Sequence, residues 1–165
     1  MINKNVIIIS AIILLLLLSK KVKAFNIISK FEGLRLKAYQ DSGGIWTIGY
    51  GSTKNPFTNV RVKEGDKITK ETAVEWLKEE IKNRTAAIKQ LIKVPINDNQ
   101  LAALTSLAYN IGLGAFQKST LLKLLNSNAN KIEVADQFLR WNKVKNVEIK
   151  GLTNRRKLER ELFLS

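Results

Sequence analysis

The sequence predicts an α+β protein, with a small antiparallel sheet of about three strands near the front and a mainly helical body behind it. Two observations carry that expectation. The stretch "KAYQDSGGIWTIGYGST" places short alternating segments on either side of Ser42-Gly43-Gly44, the pattern of a hairpin. From Thr69 onward the apolar residues instead recur at helical spacing, with breaks at proline, glycine and asparagine.

The elements follow in order. Phe25, Ile28 and Phe31, with Ile27 and Leu34 beside them, predict a short helix over about 26–35 that puts Glu32 in its last turn near Gly33. Strands are expected at 37–41 and 45–51, with a third around 60–63 ahead of a Gly65-Asp66 turn. Thr69 and Thr72 occupy cap-like positions, Glu71 falls in the first turn, and Ala73, Leu77, Ile81 and Ile88 mark one face of a long helix. After Pro95, Asn97 or Asp98 caps a strongly apolar helix carrying Leu101, Leu104, Ala108 and Ile111, closed by Gly112. This is the expected central buried helix. Ser119 caps a short helix that stops near Asn126-Ser127-Asn128, "KIEVADQFLRWNK" forms the next, and "LTNRRKLERELFLS" the last, capped by Thr153 or Asn154. No repeat or interdomain linker interrupts residues 25–165, which read as one domain.

Residues 1–24 read as an address or an anchor. An apolar run extends from Val6 to Leu18, relieved only by Ser10, and ends at a lysine cluster. Thirteen residues suit a secretory apolar core and fall short of the roughly 17–25 a spanning helix needs. Val22 and Ala24 are small residues suited to cleavage before Phe25. Lysines flank both sides, more of them on the side that must cross, so a retained anchor stays open beside a cleaved signal. Either outcome places the chain outside the cytoplasmic membrane, secreted or tethered, and makes that membrane and the export machinery its partners.

Composition removes whole mechanisms. The chain has no cysteine and no histidine, which excludes thiol nucleophiles, Cys/His zinc sites and histidine-based triads. Acid–base chemistry then falls to Asp, Glu, Lys or Tyr, and neither metal nor cofactor is expected. The net charge is +14; Lys4, Lys20, Lys21 and Lys23 supply four of it, leaving +10 on the rest. Such a domain is attracted to polyanions. No nucleic-acid-binding motif is present, so an anionic wall or membrane surface is the expected target, and the chain is expected to be a monomer.

Glu32, Asp41 and Thr47 form the candidate constellation. A carboxyl at a helix end and another at a hairpin turn can face each other across the groove between helix and sheet. Burial of Glu32 against Phe31 or Leu34 would raise its pKa and keep its proton, while Asp41 beside a solvated turn would stay charged. Two carboxyls pushed apart in this way serve glycosidic bond cleavage. From the alternating strand, Thr47 could hold a water against Asp41. By spacing alone the signal is weak, since an acid pair nine apart is common.

The stretch "FEGLRLKAYQDSGGIWTIGYGST" resembles the active-site segment of the phage-type lysozymes, whose pattern is Glu, eight residues, Asp, five residues, Thr, then a Gly-Tyr-Gly strand. Glu32, Asp41 and Thr47 fall on those positions. "NQLAALTSLAYNIGLGAFQKSTLLKLLN" is similar to the family's central helices and "GLTNRRKLERELFL" to its terminal motif, so the resemblance covers essentially all of 25–165. It implies hydrolysis of the β-1,4 bond between N-acetylmuramic acid and N-acetylglucosamine in peptidoglycan. Glu32 would be the general acid, Asp41 the carboxylate that activates water, and Thr47 the residue that orients it. Inversion of configuration is implied, with carboxyls roughly 6.5–9.5 Å apart. Arg155 matches an arginine that the family places near the catalytic glutamate, where it would fix the rotamer and favour the ionised form. The N-terminal run resembles that of exported members held at the membrane until release. Two alternatives are a lytic transglycosylase, which has no use for Asp41 and Thr47 as a water-activating pair, and a non-catalytic cationic wall-binding protein.

Overall fold

The computed structural model describes residues 23–165. The expected export or anchor segment falls almost wholly on residues 1–22, outside the described residues. Among the described residues no helix is long and apolar enough to cross a membrane.

Helix α1 covers 23–32. It buries Ala24 and Ile28 and stops where Gly33, at φ +71°, takes the left-handed conformation that closes a helix without a Cβ penalty. The helix therefore ends earlier than its apolar spacing suggests, and Glu32 is its last residue. Strands β1 (Arg35–Gln40) and β2 (Trp46–Gly49) pair antiparallel, Tyr39 opposite Thr47 and Gln40 opposite Trp46. The expected third strand around 60–63 does not form; single bridges join Lys54 to Arg61 and Lys37 to Lys67. Asn59 at φ 60°, and the Asp66 carboxylate accepting the Lys63 amide at 3.0 Å, hold this backbone off an extended path.

Thr69 caps α2 (Lys70–Leu91), whose buried residues Ala73, Leu77, Ile81 and Ile88 are those the spacing marks. Helix α3 (Asp98–Ile111) begins with a reciprocal cap between Asn97 and Gln100 and is buried from Ala102 through Ala108. Gly112 ends it and opens the short α4 (Leu113–Gln117). Ser119 caps α5 (Thr120–Asn126), and α6 (Lys131–Asp136) tightens into a 3-10 turn over Gln137–Arg140. A small hairpin, β3 (Lys143–Val144) and β4 (Val147–Glu148), turns on Lys145 and Asn146, both at positive φ. Helix α7 (Lys150–Leu164) then closes the chain. It starts before the expected caps at Thr153 or Asn154 because the Thr153 hydroxyl is engaged elsewhere, donating to Glu148 and accepting from Asn142.

Two apolar clusters hold these elements. The larger joins Ile88, Leu104, Phe116, Phe138 and Phe163; the smaller packs Ala24, Ile28 and Tyr50 against Leu77 and Ile81. Helices α2 and α3 contribute to both, which fixes the sheet end against the helical body. Three chain segments thus meet at one place: the end of α1, the turn after β2 and the buried face of α7.

Candidate active site

Glu32 meets Arg155 at this junction. Arg155 Nη1 donates to Glu32 Oε1 at 2.7 Å, and the guanidinium is 2% exposed against 22% for the glutamate side chain. The guanidinium carbon lies 5.7 Å from the centre of the Phe31 ring, stacking that holds the cation in place. Its remaining donors face inward, Nε to Glu159 Oε1 at 3.2 Å and Nη2 to the Ser106 carbonyl at 3.3 Å. Glu32 is thus held by a cation that buried groups have already oriented.

Behind Arg155 lies a buried network that spacing arguments about Glu32, Asp41 and Thr47 do not reach. Glu159 Oε1 accepts from Ser106 Oγ at 2.6 Å, Arg155 Nε at 3.2 Å and Arg156 Nη2 at 2.9 Å. Arg156 Nε lies 2.9 Å from Glu159 Oε2 but out of hydrogen-bond alignment. Burial pushes the Glu159 carboxyl up and brings the Arg156 guanidinium down to about 10. Two guanidiniums and a hydroxyl converge on the carboxylate, so the ion pair persists at neutral pH. Helical spacing was the available signal, because Arg155, Arg156 and Glu159 fall at i, i+1 and i+4 on α7.

Asp41 follows β1 at the mouth of the hairpin and is exposed. Its Oδ1 accepts the amides of Gly43 at 2.8 Å and Ile45 at 2.9 Å, the local turn that Asp side chains favour. A Cβ on Gly43 would stand 3.3 Å from that oxygen. Oδ2 keeps no partner among the described residues and is left toward solvent. Thr47, on β2, is buried, and its hydroxyl donates to the Ile45 carbonyl at 3.0 Å. With that proton committed, the oxygen can only accept, for example from water.

A groove of about 370 Å³ runs beside the site, with Gly51 in its lining together with Lys54, Glu80, Arg84 and Tyr109. Gly51 connects it to Glu32: a Cβ there would stand 3.6 Å from Glu32 Oε2, and its φ of +94° suits glycine. Tyr109 contacts both the Tyr50 carbonyl at 3.0 Å and Glu80 Oε2 at 2.7 Å. Burial pushes the Glu80 carboxyl up, against hydrogen bonds from Tyr109 and Ser52. Sequence reasoning missed Glu80 and Tyr109, which lie 29 residues apart on different helices and share no local motif. No group of three or more carboxylates among the described residues could hold a metal ion.

The family model for phage lysozyme matches residues 29–159. The chain belongs to the phage lysozyme family. It is 43% identical over 147 residues to an endolysin of Acyrthosiphon pisum secondary endosymbiont phage 1, covering 87% of this chain and 96% of that one. A SAR-endolysin of Enterobacteria phage P21 is 35% identical over 81% of this chain and 77% of its own length. Among solved structures, an endolysin from Escherichia coli O157:H7 phage FAHEc1 superposes with a TM-score of 0.76 at 42% identity, covering 87% of this chain and 91% of that chain. Like its family, the phage lysozyme described here is a peptidoglycan-degrading enzyme of lysozyme-like fold.

Proposed function

We propose that the enzyme hydrolyses the β-1,4 bond between N-acetylmuramic acid and N-acetylglucosamine, with Glu32 as general acid, Asp41 activating water and Thr47 positioning that water. The observation that carries this reading is the asymmetric hold on Glu32. One oxygen is bound by the buried Arg155 at 2.7 Å, and the other lies beside Gly51, a residue of the groove wall. A carboxyl fixed at one oxygen presents the other to a glycosidic oxygen in a set orientation, which is how positioned acids gain their effect. Asp41 has a matching arrangement, Oδ1 tied to two amides and Oδ2 toward solvent.

The test is Glu32→Gln, which keeps the side chain's size and removes its acid. Loss of turbidity clearing on purified peptidoglycan is expected, at least about 100-fold, with the fold retained by circular dichroism. Full activity in that variant would overturn the assignment. Inversion is read directly as the anomer first formed, by proton NMR, and 1,6-anhydro ends in the products would instead mark transglycosylation.

We further propose that residues 1–24 export the enzyme to the outer side of the cytoplasmic membrane as a cleaved signal or an anchor. The apolar run from Val6 to Leu18 and the likeness to a SAR-endolysin support this. N-terminal sequencing of protein from expressing cells separates the two forms, Phe25 for cleavage and Met1 in the membrane fraction for an anchor.

A further inference from the structure

The groove beside Glu32 carries two cations that the hydrolysis of a neutral acetal does not require. Lys54 enters from the loop after β2, where its ammonium donates to Asn59 Oδ1 at 2.7 Å. That loop is closed by the Lys54–Arg61 bridge and by the Asn55 side chain accepting the Phe57 amide at 2.9 Å, so Lys54 stands on a fixed frame. An ammonium has three donors, and two remain to point elsewhere. Arg84 enters from α2, its guanidinium carbon 5.9 Å from the centre of the Tyr109 ring. Neither cation forms an ion pair with a carboxylate among the described residues.

One acidic residue, Glu80, shares the groove wall with them. The Tyr109 hydroxyl has one proton and two neighbours, the Tyr50 carbonyl and Glu80 Oε2. Both accept, so the one proton is shared between them. Burial pushes the Glu80 carboxyl up from its ordinary value, while Arg84 and hydrogen bonds from Tyr109 and Ser52 pull the other way. One carboxyl set against two cations leaves the concave wall with net positive charge, the arrangement that concentrates an anion.

We propose that this groove is a carboxylate-binding subsite in which Lys54 and Arg84 hold an acid group of the peptide that hangs from the glycan strand. The inference rests on the reading of Glu32 as the residue that meets the scissile bond. A glycan lying against Glu32 carries its neighbouring substituents past Gly51 into the groove, and Gly51 has no side chain to bar the way. In peptidoglycan the carboxylates are on the peptides, so the subsite reads the substituent while the acid acts on the backbone.

The experiment compares the wild type with Lys54→Ala/Arg84→Ala on three substrates: sacculi freed of phosphate-bearing wall polymer, the same sacculi before that treatment, and glycan chains stripped of peptide by an amidase, the lactyl carboxyls so freed being capped as methyl amides. A KM rise of about tenfold with little change in kcat is expected on both peptide-bearing substrates, and none on stripped chains. The charge-preserving pair Lys54→Arg/Arg84→Lys should recover most of the loss, and matched thermal melts show that the variants fold. Equal loss on stripped and peptide-bearing chains overturns the subsite. A deficit seen only while the phosphate polymer is present overturns the carboxylate assignment in favour of a phosphodiester. A wild type inactive on all three substrates would sink the lysozyme reading itself, and the subsite with it.

Discussion

Arg155 donates through Nη1 to Glu32 and through Nε to Glu159, so one guanidinium fixes a half-exposed carboxyl and a fully buried one together. Removing the buried partner is the more damaging change. Glu159→Ala strands Arg156 with no counter-charge and leaves Arg155 with Glu32 alone, and should cost about 3–5 kcal/mol in urea unfolding. Activity should also fall, because Arg155 no longer arrives at Glu32 in a set orientation. A variant as stable as wild type would show that the network holds nothing together. The sequence made part of this legible: Glu32, Asp41 and Thr47 stand out through a local pattern, and Arg155 through its terminal motif. Glu80, Tyr109 and Ser106 stay silent in one dimension, since each gains meaning only from a residue on another helix.

At the scale of elements, the strongest local signals were caps. Asn97 and Gln100 exchange amide bonds of 2.8 Å in both directions, and α3 begins where they stand. Asn97→Ala should lower stability by about 1 kcal/mol, read as a shift of the urea midpoint with unchanged slope. No shift would mean the helix is held by burial alone. Elements without such a signal were harder to read. The start of α7 has no side-chain cap, and the nearest threonine is bonded to Glu148 and Asn142 instead. The β3–β4 hairpin is two residues per strand, too short for alternation to register, although Asn146 in a left-handed turn was a usable hint. Around 60–63 apolar alternation suggested a strand, yet Val60 is exposed and only one bridge at Arg61 forms.

For the whole molecule, charge sets behaviour at a distance. The net charge, +14 for the full chain and +10 without residues 1–24, draws the enzyme to an anionic wall before any groove is filled. Salt shortens the reach of that attraction, from about 30 Å at 0.01 M to about 8 Å at 0.15 M ionic strength. Clearing of sacculi should therefore slow across that range, mainly through a rising KM, while cleavage of peptide-free glycan chains with capped lactyl carboxyls changes little. An equal salt response on both substrates would show that long-range attraction is not what salt removes.

The bridge from Glu32 to Arg155 spans 123 residues. The arginine that holds this acid lies on α7, far along the chain from it, and so is synthesised well after it. Until α7 has emerged and packed, Glu32 has no Arg155 to hold it. Long-range closures of this kind come late and slowly in folding. If Glu32 acts as proposed, cutting waits for α7 to dock, which makes that docking the first checkpoint on the activity.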